Sequence, residues 1–511
     1  MIKHLPLTLT LTLLLGACAN RATTATVDFQ DPPSITVTRE GNDARATLTA
    51  KRTTLTLAGR NVPVQTYDGH FPGPLLRFKE GERVHLTLEN ELDEATTLHL
   101  HGLPVDPAVD DPFKVIQPGA RATYAFDLPA GSAGTYWYHT HTHGSSDRQL
   151  FAGLAGALVV DPAAPDALGG VEDHVVVLKD LPVTDENDTM LGMNGREGTA
   201  VLVNGELAPT LTLTSALVRL RFVNAGNARY YRLALKDTPL HMIAKDGHAL
   251  RTPEAVTELL LAPGERADVL VQLNEPGTVA LRNLPYDRGA HASGDAGTHE
   301  AHTESADGEV LMTLASTRTS KPADLPALAA KPPLVVPEGA PVRQVILEEQ
   351  MSPTAFYING RSFEMNRVDF HAREGTVEVW EIVNRTDMDH PFHLHTFAVQ
   401  VLSRNGKPVA AEWKDVVNVR ANETVRIAVP MHGFTGKTVF HCHIAEHEER
   451  GMMAVLQVHG ANDAIPASLP PVKAPAAPGG HDTHSQHDGA SRPGREAPTD
   501  GHDAHDPHAG H

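Results

Sequence analysis

At 511 residues the chain has room for about three domains of ordinary size, and its 41 glycines and 38 prolines punctuate short runs of sheet formers. A formal net charge of −20 argues against a nucleic-acid partner and favours cationic ligands, metal ions among them. Histidine is abundant, at 30, and cysteine is scarce, at 2.

The first segment, residues 1–18, has a cation at Lys3, an apolar run from Leu5 to Leu15 and small residues before Cys18. The run is too short to span a membrane comfortably, and the pattern is that of a secretory signal. Leu15-Gly16-Ala17-Cys18 also resembles the bacterial lipobox, in which the cysteine is acylated and becomes the mature N-terminus. The alternative is an ordinary signal peptide with a cysteine near its end. We expect export to the bacterial cell envelope (periplasm or outer surface), with membrane contact only through lipid on Cys18. Either way Cys442 keeps no disulfide partner, so it is inert core or a working thiolate.

Next the chain repeats itself. Pro118-Gly119-Ala120-Arg121-Ala122 opens a strand with Tyr124, Phe126 and Leu128 alternating. Pro263-Gly264-Glu265-Arg266-Ala267 opens Val269 and Val271, and Asn422-Glu423-Thr424 opens Val425, Ile427 and Val429. Upstream of each lies a turn pair: Asp68-Gly69, Asn204-Gly205 and Asn359-Gly360. Alternation with period two predicts half-buried antiparallel strands, and the repeat length is that of a small β-sandwich. We expect three such domains, at 28–162, 163–318 and 340–460, joined before the third by a Pro/Ala linker at 319–339. Residues 461–511 have no aromatic residue and too little apolar area to offset ordering entropy, which predicts a disordered tail.

Histidine clusters fall in the first and third repeats. In chain order they are His99-Leu100-His101-Gly102, then His139-Thr140-His141 with His143 beyond it, then His390-Pro391-Phe392-His393-Leu394-His395, then His441-Cys442-His443 with His447 and Met452. On a strand each H-x-H puts two imidazoles on one face. Alone, such a pair is more often solvated, hydrogen-bonded or a zinc site. Four clusters confined to two repeats, with none in VALRNLPY at 279–286 of the middle repeat, imply a site between domains one and three, held together by domain two. At 441–443 the same alternation points Cys442 away from both flanking imidazoles. The cysteine can then bind one metal and the histidines another. Thiolate, two imidazoles and a weak thioether form the blue-copper set, of which Cys442, His447 and Met452 supply three members. The second imidazole must come from elsewhere in the chain.

These clusters resemble, in order, spacing and domain placement, the four signature motifs of the multicopper oxidases: H-x-H-G, H-x-H, H-x-x-H-x-H and H-C-H-x-x-x-H-x-x-x-x-M. The resemblance covers about residues 30–460. VDDPF, LVNGELAPTL, ARYYRLAL and MDHPFHLH look most like bacterial laccases of thermophiles. It implies an all-β fold of three consecutive cupredoxin-like Greek-key β-sandwiches. It implies four copper ions as cofactors: a type 1 copper on His390, Cys442 and His447 with Met452 axial, a type 2 copper on His99 and His393, and a type 3 pair on His101, His139, His141, His395, His441 and His443. Cys442 would pass electrons onward, while Asp110 and Glu448 match acidic residues that serve dioxygen reduction and proton supply. The family usually has Trp where this chain has Leu100, and we expect altered packing there rather than lost metal. His143 matches no ligand position. His85, His174 and His248 have no partner spacing and are expected to be structural.

The resemblance implies a monomeric oxidase whose partners are dioxygen and a phenolic or aromatic amine reductant, or Cu(I). The alternatives are a dedicated cuprous oxidase for copper tolerance, or a copper-binding or storage lipoprotein. Copper nitrite reductases share the sandwich but lack the full set of paired motifs. Met388 and Asp389, just before His390, would offer a thioether and a carboxylate to Cu(I); ordinary loop packing is the alternative. The loop at 288–309 sets His291, His299 and His302 among acids, which suits Cu(II) better than Cu(I), or is simply a flexible polar loop. In the tail His481, His484, His487, His502, His505, His508 and His511 recur at spacing three, a pattern that captures divalent metal, or solubilises.

Overall fold

The computed structural model describes residues 27–180, 189–289 and 307–475. The expectations for Cys18, for the loop histidines 291, 299 and 302 and for the tail histidines lie outside the described residues. Among the described residues no helix is long and apolar enough to cross a membrane.

The strands pair into six sheets, two to a sandwich. The first sandwich packs a five-stranded sheet containing Asp43–Leu57, Arg83–Asn90 and Arg121–Asp127 on a four-stranded one containing His99–His101 and Gly134–His139. The second and third each pack six strands on five. Each has its own core, around Leu86 and Phe78, around Phe222 and Leu233, and around Trp380 and Phe440. Alternation explains this directly: in Arg83–Asn90 the residues Val84, Leu86 and Leu88 turn inward and their neighbours turn outward.

Strands opened by the repeated turns are antiparallel to their partners, as the alternation predicted: Arg121–Asp127 on Arg83–Asn90, Arg266–Gln272 on Leu217–Asn224, Thr424–Met431 on Thr376–Asn384. Each sandwich also contains two parallel pairs, one in each of its sheets, which the pattern did not predict; in the larger sheets they are Asp43–Leu57 with Arg83–Asn90, Glu172–Asp180 with Leu217–Asn224, and Val342–Met351 with Thr376–Asn384. The fold is three consecutive cupredoxin-like β-sandwiches.

The three turn pairs perform one job. Asp68, Asn204 and Asn359 all have φ near +50°, and the glycine after each is also positive, as a type I′ turn requires. Each side-chain oxygen then accepts a backbone N–H from an early strand of its own sandwich, Thr49, Val177 or Ile346, at 2.8 Å. A second threefold device escaped the sequence reading. Asn90, Asn224 and Asn384 each accept the N–H two residues on, at 2.9–3.0 Å, and so shape the loop that leaves a central strand.

Three segments lie differently from expectation. Phe29 is buried in the core of the second sandwich, and its N–H reaches Thr210 O at 2.9 Å, so the stretch at 27–31 straps the second domain rather than beginning the first. The linker has no helix or strand, yet it is held: Trp413 donates to Pro332 O at 3.0 Å and Lys331 Nζ sits 3.8 Å above the Trp413 ring. Residues 461–475, expected to be disordered, lie against the third domain, where Leu469 N reaches Asp369 O and Val472 N reaches Asn359 O. Backbone hydrogen bonds, rather than apolar burial, order that stretch.

Candidate metal centres

Gly436–Cys442 lies between His390–Leu394 and Met453–His459 in one sheet, with Phe392 opposite Cys442 and His393 opposite His441. The register separates two sites. On the core side, Cys442 Sγ lies 3.4 Å from His390 Nδ1 and 3.7 Å from His447 Nδ1, and the two nitrogens are 3.3 Å apart. That triangle closes around one small ion. The outer nitrogen of each imidazole is fixed: His447 Nε2 is 2.7 Å from Met193 O, and His390 Nε2 is 2.8 Å from Thr386 Oγ1. A backbone carbonyl can only accept, so His447 carries its proton on Nε2 and turns its Nδ1 lone pair to the sulfur. Met452 shares the buried core cluster of Cys442, and its carbonyl accepts from Cys442 N at 3.0 Å. Burial pushes the Cys442 thiol well up, so a thiolate there requires a cation beside it.

On the other face, eight buried imidazoles converge from two domains. His99 and His139 are register partners in the first sandwich, and His393 and His441 in the third. Across the domains His99 Nε2 lies 3.4 Å from His393 Nε2 and His141 Nε2 lies 3.2 Å from His441 Nε2; within the third domain His395 Nε2 lies 3.1 Å from that same His441 atom. His101 stacks on His393 at 3.8 Å, and His443 completes the ring 5.0 Å from His101. Burial first, and then neighbouring imidazoles, hold His101, His139, His393 and His395 well below the ordinary histidine range; burial holds His441 down to about 3. These rings are neutral, with lone pairs free. His101 Nδ1, His139 Nε2, His395 Nδ1 and both His443 nitrogens are buried without a hydrogen-bond partner. Orphaned buried nitrogens are rare and costly, and a set of them aimed at one another fits metal ions.

The carboxylates of the sequence reading lie against this ring. Asp110 Oδ2 is 2.7 Å from His99 Nδ1. Glu448 Oε2 is 3.2 Å from His441 Nδ1, its Oε1 is 3.6 Å from His141 Nε2, and Ser146 Oγ donates to it at 3.2 Å. Burial, and then Glu449, hold the Glu448 carboxyl well above its ordinary range. Leu100 points into the core of the first sandwich, away from the ring. The ring's aromatic wall is Trp137, stacked on His139 at 4.2 Å.

Met388 and Asp389 are both buried. The Asp389 carboxylate already accepts from Tyr286 OH, Asn418 Nδ2 and Ala421 N at 2.7–3.1 Å, so it faces the interior and not an arriving ion. His143 is half-buried, 3.4 Å from Glu449 and edge-on to Phe363. His85 pairs with Asp43 and His174 with Asp31 and Glu172, while His248 is half-buried beside Trp413 and pushed down to about 4, chiefly by desolvation.

Sequence reasoning missed Arg266, Asp415, Thr386 and Met193. The Arg266 turn repeats the Pro-Gly-x-Arg-Ala of the first domain, but Arg121 is exposed beside Glu89 whereas Arg266 is fully buried. The one signal for Asp415 was a charge inside the apolar run WKDVVNV.

Family models described as multicopper oxidase match residues 49–165, 172–304 and 336–462. The multicopper oxidase mco of Staphylococcus epidermidis is 32% identical over 412 residues, 77% of this chain and 83% of that protein. The cell division protein FtsP of Escherichia coli K12 is 30% identical over 380 residues, 70% of this chain and 77% of that one. Among solved structures, a multicopper oxidase from Campylobacter jejuni described as a metallo-oxidase superposes with a TM-score of 0.77 at 30% identity, covering 85% of this chain and 95% of its own. A laccase from Pediococcus acidilactici superposes at 0.75 and 31%, covering 85% and 94%.

Proposed function

The chain belongs to the multicopper oxidase family, and from that premise we propose that it oxidises phenolic or aromatic amine compounds and Cu(I) by single electrons, coupled to four-electron reduction of dioxygen to water. The observation that carries this reading is the link between the two donor sets: Cys442 lies in one, and its neighbours His441 and His443 lie in the other. In this reading His390, Cys442, His447 and Met452 would hold the type 1 copper. His99 and His393 would hold the type 2 copper, and His101, His139, His141, His395, His441 and His443 the type 3 pair. Copper held there would supply one-electron chemistry at the thiolate and dioxygen reduction in the imidazole ring.

The chain's own residues do the rest. Burial keeps water from the ring, and the His441-Cys442-His443 backbone is a short covalent path between sites. Glu448 holds a proton beside His441 and His141, on the side where dioxygen is reduced, and Asp110 fixes His99. Glu448→Gln keeps the shape and removes the proton. It is expected to slow dioxygen reduction roughly a hundredfold while the blue absorption stays. Unchanged turnover would remove Glu448 from the mechanism.

A groove of about 580 Å³ is lined by Glu348, Glu349, Met351, Arg385, Thr386, Asp387, Asn422 and Ala474. Thr386 is also the hydrogen-bond partner of His390, so a donor in the groove sits one side chain from that imidazole. The lining sets three carboxylates and a thioether against one cation, Arg385, which pairs with Glu348 at 3.1 Å; the acidic excess supports Cu(I) and protonated amines beside phenols. Met388 and Asp389, first considered as Cu(I) contacts, are buried and do not line it. Export, a lipid anchor on Cys18 and a monomeric state belong to the same proposal, with the tail histidines capturing divalent copper outside the catalytic domains.

A dedicated cuprous oxidase is the second reading, favoured by the acidic groove and by the likeness to a metallo-oxidase. The likeness to a cell division protein raises a third, a binding or structural role in the envelope, against which the orphaned imidazoles argue. Dioxygen uptake by a copper-loaded sample, given Cu(I) and then a methoxyphenol without added Cu(II), separates them. Faster Cu(I) turnover makes copper tolerance the role, faster phenol turnover makes the protein a laccase, and a blue sample that consumes no dioxygen with either overturns the oxidase.

A further inference from the structure

We infer that Arg266 of the middle sandwich and Asp415 of the third are positioning residues for the imidazole ring, holding His101 and His393 in the tautomers that turn their lone pairs inward. The inference rests on the oxidase reading of that ring.

An imidazole can bind a metal only through a nitrogen that carries no proton, and which nitrogen that is depends on the partner of the other. His101 Nε2 lies 3.0 Å from Asp415 Oδ1. An ionised carboxylate only accepts, so the proton sits on Nε2, and the buried, partnerless Nδ1 keeps the lone pair. His393 is set the opposite way by the same residue. Its Nδ1 lies 2.9 Å from the Asp415 backbone oxygen, which leaves Nε2 to face His99 at 3.4 Å. One aspartate thus orients two stacked rings from two domains, one through its side chain and one through its main chain.

Asp415 is itself held by the domain that has no ligand. Arg266 Nη1 donates to Oδ1 and Nη2 to Oδ2, both at 2.6 Å, a two-point fork that allows one carboxylate orientation. Arg266 is anchored in turn. Its Nη1 also donates to Gly264 O at 3.1 Å, and its main-chain N–H donates to Asp246 Oδ1 at 2.9 Å. Asp246 Oδ2 accepts from Asp415 N and Val416 N at 3.2–3.3 Å, closing a loop between the second and third domains. All three charged residues are essentially excluded from solvent.

The first domain makes room for the fork. Gly102, last residue of His99-Leu100-His101-Gly102, has φ +85°, and a Cβ there would collide with Arg266 Nη2 and Asp415 Oδ2. Gly264, in the repeated turn, lies against the other side of the ring, where a Cβ would stand 2.8 Å from His443 Cδ2. Two glycines that mark turns in the sequence are therefore points where domains close on the ring.

A purely structural ion pair would be replaceable by well-packed apolar residues. The test uses the full chain with three readouts: copper per folded molecule, the blue absorption, and the type 2 copper signal in electron paramagnetic resonance. Arg266→Met/Asp415→Leu removes the side-chain acceptor of His101 and keeps the backbone acceptor of His393; it is expected to fold, keep the blue absorption and the type 2 signal, and lose copper from the set that contains His101, with affinity there down about tenfold or more. Arg266→Gln/Asp415→Asn restores a neutral acceptor for His101 and is expected to recover that copper. A folded Arg266→Met/Asp415→Leu protein with full copper would overturn the inference, as would failure of Arg266→Gln/Asp415→Asn to recover any. Imidazole nitrogen NMR of the copper-free wild type tests it without any variant, since His101 must carry its proton on Nε2 and His393 on Nδ1; the opposite tautomers would sink it. A wild type that takes up copper without consuming dioxygen refutes the oxidase reading instead, and leaves the tautomer result standing.

Discussion

Acidifying the copper-free protein from about pH 7.5 to about pH 5.5 should lower its melting temperature by about ten degrees or more. His101, His139, His141, His393, His395, His441, His443 and His447 all have pKa values pushed below the ordinary histidine range, chiefly by burial. In the unfolded chain each would take a proton near pH 6.5. Below that value the unfolded state binds more protons than the folded one, so stability falls with pH; above it these groups contribute nothing. One histidine behaving this way costs up to about 1.4 kcal/mol per pH unit, and total stabilities are only about 5–15 kcal/mol. Two of the eight would therefore be felt, and several together would unfold the protein. Calorimetry of copper-free and copper-loaded protein across this range checks the sign: the copper-free curve should drop steeply and the loaded one much less, because bound metal competes with the proton for the same lone pairs. Equal, flat curves would show that the ring is solvated and not closed as described.

Cys442→Ser should abolish the blue absorption and reduce dioxygen consumption to background with either electron donor, while the type 2 signal remains. Serine nearly matches cysteine in shape, and Cys442 lies in a core of Phe392, Phe440 and Ile444, so the fold should survive. A serine hydroxyl neither ionises there nor provides the soft, covalent sulfur contact that a blue site needs. His441 and His443 keep their places on the opposite face, because the strand register with His390–Leu394 does not depend on the sulfur. Absorption and resonance spectra with dioxygen uptake on one sample suffice. Residual blue colour would place the type 1 ligand elsewhere.

The histidine clusters were legible in sequence because strand alternation is local: two imidazoles at i and i+2 share a face whatever the rest of the chain does. The repeated turns were legible for the same reason, since φ above zero at Asp68, Asn204 and Asn359 is announced by the glycine that follows. The strands that follow those turns are antiparallel as expected, but the parallel pairs were not legible, because a half-buried strand alternates with period two whichever way its neighbour runs. Phe29 gave no sign that it would bury in the second core rather than the first. Asp110 and Glu448 stood out only through the resemblance, as the chain has 63 acidic residues to choose from. Arg266 and Asp415 meet across 149 residues, a distance over which neither spacing nor periodicity carries information. Met193 was missed likewise, since it fixes His447 across 254 residues; Thr386, only four residues before His390, was missed because nothing in a loop threonine marks it as the partner of an imidazole nitrogen.

The ring of imidazoles has a direction in time. His99 and His393 are separated by 294 positions, and His141 and His441 by 300. The first domain's four imidazoles are therefore synthesised long before their counterparts, and closing the ring joins ends of a very long loop, late and slowly. Until then those four histidines lack their counterparts. A chain whose synthesis stops after its second domain has half of the ring and no Cys442, so it holds neither donor set complete. The finished ring thus depends on a step that comes after most of the polypeptide has been made.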